Sequence, residues 1–237
     1  MTQFNPGREV VVAGVGLHPF GRFPEKDLAT LAMEAVLPAL QDAGVSWKDI
    51  PVAYFGHVYY HGMSVGETAL ANLGLTGIPI INVENACSSG STAFWQAYWG
   101  IATGIYDMAL AFGAEKVPRG PVTVTPEESP ERYIGGDHMM AGYALRMRRY
   151  MEETGAPATA FAQAAVKARQ NASLNPYAHR KQEYSLEEVL QSRLIADPLT
   201  LYQCCPTSEG AAAAVLCAAD DLDRYGINEE RTVRIAA

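Results

Sequence analysis

The sequence predicts an α/β fold built on a mostly parallel sheet. Three observations carry that prediction. Over the first 115 residues, short apolar runs alternate with segments whose apolar residues repeat at helical spacing. Glycines punctuate the ends of these segments, where the chain must turn. The composition, 49% hydrophobic and 19% charged over 237 residues, suits a chain with a large buried core and not a disordered one.

Val10 to Val15 is an apolar run of the kind found in a buried parallel strand. Asp27 can cap the next segment, where Leu28, Leu31, Ala32, Ala35, Val36 and Ala39 share one helical face and Gly44 marks the stop. Val52–Val58 reads as a second strand, Ser64–Leu73 as a short helix, and Ile78–Val83 as a third strand. Ser88–Ala102 is small and apolar nearly all round, so it reads as a helix buried on every face. Met108–Gly113 is a fourth strand. A parallel sheet needs both faces covered, and the chain reads as supplying cover for one of them. From Lys116 to Tyr150 the texture is irregular, with little periodicity before Met139. Ala158–Ala172 reads as an amphipathic helix, Asn175-Pro176-Tyr177 as a turn, and Ser185-Leu186-Glu187-Glu188 as a capped helix start. Ala211–Cys217 is one more buried strand, and Asp220–Tyr225 opens a short helix.

The formal net charge of −8 argues against a nucleic-acid partner, because phosphate binding needs a basic patch. No apolar run is long enough for a membrane span, and Met1 to Glu9 has no signal-like apolar core. Of the four cysteines, Cys204 and Cys205 are adjacent, a spacing that suits neither a disulfide framework nor a metal site. Reduced thiols and a cytoplasmic location are the expectation.

The richest stretch is Asn82-Val83-Glu84-Asn85-Ala86-Cys87-Ser88-Ser89-Gly90-Ser91. A strand ends, a tight turn follows, and a cysteine sits at the mouth of a helix. A helix N-terminus favours a thiolate and its free amides can hold an oxyanion. The small residues Ser88, Ser89 and Gly90 would let a substrate reach the sulfur. On these residues alone, a nucleophilic Cys87 and an ordinary buried cysteine both stand. Val12-Ala13-Gly14-Val15-Gly16-Leu17-His18-Pro19 is not a dinucleotide site, since it lacks the third glycine and carries Pro19 at the helix start. His57 and His61 are four residues apart in a segment with no helical look, which speaks against a metal site; no metal is expected. His18 reads as a loop residue and His179 as a surface one. Cys204 and Cys205 read as packing against the sheet.

Asn82 to Ser91 resembles the nucleophile segment of thiolases. Leu201 to Ala214, with Cys204-Cys205-Pro206-Thr207-Ser208-Glu209-Gly210 at its centre, is similar to a segment of the sterol-carrier-protein-2 (SCP2) type of thiolase. Gly113-Ala114-Glu115-Lys116, Asn175-Pro176-Tyr177 and Glu183 to Val189 fit the same subgroup, which often has Asp where this chain has Glu209. The resemblance implies a thiolase-like fold of αβαβα layers, with a mostly parallel five-stranded sheet and an inserted, mainly helical loop domain. It divides the chain into 1–115 with 197–228 as the thiolase N-terminal domain, 116–196 as the loop domain for coenzyme A (CoA) and substrate, and 229–237 as the start of a C-terminal domain.

The same resemblance implies an acyl-CoA thiolase, an acyltransferase with Cys87 as acyl-accepting nucleophile. Two alternatives are a retro-aldolase of the same fold, acting on a branched or steroid side-chain acyl-CoA, and a non-catalytic half or subunit that needs a partner chain. CoA enters as substrate, with no tightly bound cofactor. Ser88, Ser89, Gly90, His138, Ser208 and Gly210 are the implied substrate and CoA contacts. Insertion cations, among them Arg132, Arg146, Arg169 and Arg180, are available for CoA phosphates. The implied partners are acyl-CoA, CoA, a second copy in a homodimer, and a zinc-ribbon/OB-fold acyl-CoA-binding subunit. The activating histidine and the second catalytic cysteine of the family belong to its C-terminal half.

Overall fold

The computed structural model describes residues 7–60, 62–120, 122, 129–134 and 136–236; His61, named above, lies outside them. In chain order the elements are β1 (Val10–Leu17), α1 (Leu28–Ala43), β2 (Ala53–Gly56), α2 (Val65–Leu70), β3 (Ile80–Val83), α3 (Ser89–Ala102), β4 (Met108–Glu115), α4 (Pro130–Tyr133), α5 (Met139–Thr154), α6 (Ala158–Leu174), α7 (Leu186–Gln191), β5 (Leu194–Ala196), β6 (Leu199–Thr200), β7 (Gly210–Ala218), α8 (Leu222–Tyr225) and β8 (Val233–Arg234). Packing divides the chain into two compact units, Met1–Val117 with Ser208–Ala237, and Pro118–Thr207. The return crossing lies beyond residue 196, the limit read from the sequence, because β5, β6 and the turn after them pack with the insertion's own helices.

The first unit is a sheet between helices. Its strand order is β3-β2-β4-β7-β1-β8. Strands β1 to β4 run in one direction, and β7 lies between β4 and β1 and opposes both. Only β2–β3 and β2–β4 are parallel neighbours, so β1, read as a strand with parallel partners, has antiparallel ones on both sides. Among the described residues the sheet has six strands where five were expected. The sixth, β8, pairs Val233 and Arg234 with Val12 and Val11 of β1, inside the segment read as the start of a further domain.

Both faces of the sheet are covered from within the unit, which corrects the expectation of one bare face. On one face α1 buries Leu31, Ala32, Ala35, Val36 and Ala39 against Val11, Ala13, Leu110, Phe112 and Val215, joined by α2. The carboxylate of Asp27 caps α1 by accepting from the Thr30 amide at 2.8 Å, and Gly44 ends it in the left-handed region at φ 73. On the other face α3 sets Ala93, Ala97 and Ile101 against Tyr54, Ala109, Ala111 and Leu216. The far side of α3 is open, with Trp95 57% exposed, so the helix is buried on one face and not on all.

The second unit consists of α4 to α7 and the β5–β6 hairpin. Helix α5 fills part of the segment that reads as irregular. It buries only Ala144 and Met147, too thin a stripe to register as a helical period. Ser185 and Glu188 form the capping box that starts α7, with the Ser185 oxygen accepting from the Glu188 amide at 3.2 Å. No helix among the described residues is long and apolar enough to cross a membrane.

Candidate active site

The site is assembled at one end of the sheet. Because β1 to β4 share a direction and β7 opposes them, the carboxyl ends of those four strands and the start of β7 lie together. The register makes this explicit. Gly56 at the end of β2 is opposite Val83 and Gly113, and Glu115 at the end of β4 is opposite Gly210 at the start of β7.

Cys87 stands in the turn from β3 into α3 and its side chain is exposed. The turn is held from several directions. Ala86, just before the cysteine, has φ 46, a left-handed conformation that a non-glycine residue rarely adopts. Such strain costs on the order of 1–3 kcal/mol and collects at functional sites. Here it is countered by hydrogen bonds. The Ala86 amide donates to Glu84 Oε1 at 2.7 Å, and the Ser88 amide donates to the Asn85 carbonyl at 3.0 Å. Ser89 is buried, and its hydroxyl accepts from the Asn85 amide at 2.9 Å while donating to the Ala86 carbonyl at 2.8 Å. The Asn85 side chain reaches Thr92 Oγ1 at 2.9 Å. Ser89 thus serves the turn, whereas Ser88 and Gly90 are exposed beside the sulfur. A Cβ on Gly90 would have nothing within 4 Å, so the approach there is open.

Gly56 seats this turn on the sheet. A Cβ at Gly56 would come within 2.7 Å of the Ser89 carbonyl carbon and oxygen and 2.8 Å of the Gly90 amide nitrogen. Only glycine lets the first turn of α3 lie this close to β2. The chain then leaves β2 with the His57 amide donating to the Val83 carbonyl at 3.3 Å. The next three amides, Val58, Tyr59 and Tyr60, all donate to the Glu115 carboxylate, at 2.7, 3.0 and 3.0 Å. Spacing offered no pointer to this role of Glu115; the quoted Gly113-Ala114-Glu115-Lys116 segment was the available signal.

The start of β7 carries a second convergence, on Glu209. This carboxylate is buried and accepts from the Phe23 amide at 2.7 Å and from Lys116 Nζ at 3.1 Å, with Arg22 Nη1 at 3.4 Å. Lys116 also donates to the carbonyls of Phe23 and Lys26, both at 2.7 Å. Desolvation pushes the Glu209 carboxyl up, but the Phe23 amide and the Lys116 ammonium outweigh it and hold it below its ordinary value. Next to it, Gly210 lies against the Phe20 ring, 2.6 Å from where a Cβ would stand, so its lack of a side chain serves packing. Ser208, partly buried, precedes this pair.

The other histidines and cysteines sort clearly. His18, read as a loop residue, is 1% exposed; its ring is edge-on to Phe23 and Nε2 is 3.0 Å from Lys26 Nζ. His57 stacks on Phe55 at 5.1 Å, on the α1 side of the sheet and away from α3. Burial pushes the Cys217 thiol, on β7, up to about 12.

In the second unit, His138 is exposed at the N-cap of α5. A cavity of about 250 Å³ in the same unit is lined by Arg169, Arg180, Tyr184, Tyr202, Cys204 and Cys205. The two tyrosine rings stack at 4.0 Å and Arg169 lies over Tyr184 at 5.6 Å. Cys204 donates to the Thr200 carbonyl at 3.5 Å, and burial raises its thiol pKa. The cysteine pair therefore borders this cavity. Among the described residues no cluster of side chains is arranged to hold a metal ion.

Comparison with known proteins points to one family. The family profile described as thiolase, N-terminal domain, matches residues 10–220. The benzoylsuccinyl-CoA thiolase subunit BbsB of Thauera aromatica is 40% identical over 97% of this chain and 60% of its own length. Sterol carrier protein 2 of Bos taurus is 37% identical over 96% of this chain and 45% of its own length. Among solved structures, the Ltp2-ChsH2(DUF35) aldolase superposes with a TM-score of 0.78 at 28% identity, over 93% of this chain and 58% of that one. The chain thus spans about half to three-fifths of the length of these relatives. With the strand order, the cysteine turn and a family match over most of its residues, the chain belongs to the thiolase family, through its N-terminal domain and with SCP2-type relatives.

Proposed function

We propose that the protein is a CoA-dependent thiolase, in which Cys87 carries the acyl group of a 3-oxoacyl-CoA. The observation that supports this most directly is the Cys87 turn: an exposed thiol at a helix mouth, behind a strained and fully hydrogen-bonded residue, with open space at Gly90. The Cys87 thiolate would attack the 3-keto carbon. The bond between carbons 2 and 3 would break, leaving the shortened acyl group as a thioester on Cys87 and carbons 1 and 2, still on the first CoA, as the enolate of acetyl-CoA or its analogue, which takes up a proton. The thiol of a second CoA would then attack the thioester and release Cys87. The amino end of α3 lies beside the sulfur, where the oxyanion of the addition step would develop. The acid and base that move the protons are assigned to a C-terminal half. We place Ser88 and Gly90 at the thioester, Ser89 behind the turn, Ser208 and Gly210 along the pantetheine arm, His138 at the substrate entrance, and the CoA phosphates on insertion cations, Arg169 and Arg180 first. The partners proposed are a second copy of the chain and an acyl-CoA-binding subunit; one relative is named a thiolase subunit, and one solved neighbour is titled as a complex with a DUF35 protein.

A second reading is favoured by that same neighbour, whose title calls it an aldolase. A retro-aldolase on this fold would need no acyl-cysteine. One experiment separates the two. The natural full-length protein is incubated with a 3-oxoacyl-CoA and the Cys87 peptide is weighed. The thiolase reading expects the acyl mass on Cys87, and a loss of turnover of about a thousandfold or more in Cys87→Ala. Cleavage of a 3-hydroxyacyl-CoA to a carbonyl compound and a shorter acyl-CoA, retained in Cys87→Ala, with no acyl peptide formed from the 3-oxoacyl-CoA in the parent, would establish the aldolase reading instead.

A further inference from the structure

Glu115 spends its carboxylate in an unusual way. Both oxygens are taken up by backbone amides of one loop: Val58 and Tyr59 on Oε2, Tyr60 on Oε1. A carboxylate so engaged is poorly placed to act as an acid or base. It is well placed to fix a loop, because charge-assisted bonds are short and strong and each lost acceptor strands an N–H. The loop it fixes is next to the cysteine. Gly56, two residues before Val58, lies against Ser89 and Gly90 of the first turn of α3. Side chains alternate along β2, so Tyr54 and Gly56 face α3 while Phe55 and His57 face α1. Along β4, Ala109 and Ala111 face α3, and Glu115 falls on that same side. The carboxylate therefore pulls Val58–Tyr60 over the end of the sheet on the Cys87 side. The loop carries one aliphatic and two aromatic residues, with Val58 and Tyr59 half-buried and Tyr60 38% exposed.

We infer that Glu115 is a positioning residue for acyl selectivity: by holding Val58, Tyr59 and Tyr60 in one shape, it sets the wall that the acyl group of the thioester meets beside Cys87. This rests on the acyl-CoA reading above, and it assigns discrimination between small and bulky acyl groups to a residue that touches neither sulfur nor substrate. Glu115→Gln keeps the size but turns one acceptor into a donor facing an N–H, so the loop must let go at one point.

The test uses binding, so that it does not depend on turnover. Dissociation constants for acetyl-CoA and benzoyl-CoA are measured by calorimetry on the natural full-length protein and on Glu115→Gln. A displaced wall changes the ratio of the two constants by about tenfold, since a misplacement near 1 Å is enough for effects of this order. A structural role alone would weaken both esters equally and leave the ratio alone. Tyr60→Ala should move the ratio by itself, and adding Glu115→Gln to it should move it little further. An unchanged ratio in Glu115→Gln overturns the inference. If Glu115→Gln does not fold, an unchanged ratio in both Tyr59→Ala and Tyr60→Ala overturns it just as well. Failure of the parent protein to bind either ester would sink the acyl-CoA reading itself, a different result from binding with an unmoved ratio.

Discussion

At the scale of single residues, the chemistry of this domain depends on where two carboxylates spend their hydrogen bonds. Glu209 illustrates the energetic side. Its folded pKa lies below its ordinary value despite burial, because the Phe23 amide and the Lys116 ammonium bind the charged form. A group whose pKa is lowered on folding adds stability above its unfolded pKa, near 4.5, and loses it as pH falls through the folded value. Glu209→Gln should therefore destabilise the protein by about 2–4 kcal/mol at pH 7, much of it from leaving Lys116 without its charge partner. The gap between parent and variant should narrow steadily below about pH 4.5, as denaturant titrations at several pH values would show. A gap that stays constant down to pH 3 would mean that the ion pair is not its source. Little of this could be read in the sequence. In the sequence Glu209 stood out only as a residue where the resembled subgroup often has Asp, with nothing to show that its carboxylate reaches the Phe23 amide. His18 lies in the loop after β1, as read, but its burial was not legible, since only the fold brings Phe23 and Lys26 over it.

At the scale of elements, spacing proved a good guide wherever an element has one thick apolar face. Helix α1 follows its Leu28–Ala39 pattern, with Asp27 and Gly44 at its ends as the sequence indicates. Strand direction was not readable, because a strand buried on both faces shows the same apolar run whether its neighbours are parallel or antiparallel; β1 and β7 were indistinguishable in this respect. Helix α5 escaped notice because it buries too little. The Cys87 site was readable as a strand–turn–helix, but not its seat, since Gly56 looks like any glycine at a strand end. Its function follows from the close approach of α3. Gly56→Ala would drive a methyl group into the Ser89 backbone. A cost of about 1–3 kcal/mol is expected from overpacking of this kind. The larger effect should fall on Cys87, because relief requires α3 to move outward at its first turn. The rate at which iodoacetamide alkylates Cys87, followed by mass spectrometry of its peptide, should change by about tenfold or more in Gly56→Ala. An unchanged rate at an unchanged melting temperature would show that α3 is not held by this contact.

At the scale of the whole molecule, the sheet leaves one edge to be accounted for. Among the described residues, strand β3 is the outermost strand on its side and pairs with β2 alone. The amides of Ala53 and His57 reach the carbonyls of Pro79 and Val83, so the odd-numbered positions of β3 face β2. In a parallel pair this leaves the N–H and C=O groups of Ile80 and Asn82 directed away from the sheet. The strand reads Ile-Ile-Asn-Val, with no charge or proline inside it to discourage pairing, and such an edge is a ready template for another strand. The Asn82 side chain is turned back into the unit, accepting from the Gly66 amide at 2.7 Å and donating to Glu67 at 2.9 Å, so it does not cap the edge. Two copies of β3 related by a two-fold axis would satisfy each other, since such an axis brings the same patch of both chains together. This gives the proposed homodimer a specific contact. Ile80→Pro removes an outward N–H and none of the bonds to β2, and proline is tolerated on the free side of an edge strand. Sedimentation equilibrium should then find monomer where the parent protein is dimeric, with the circular dichroism spectrum of the fold retained. A variant that stays dimeric would show that the two copies meet through another surface and that β3 is closed by something else.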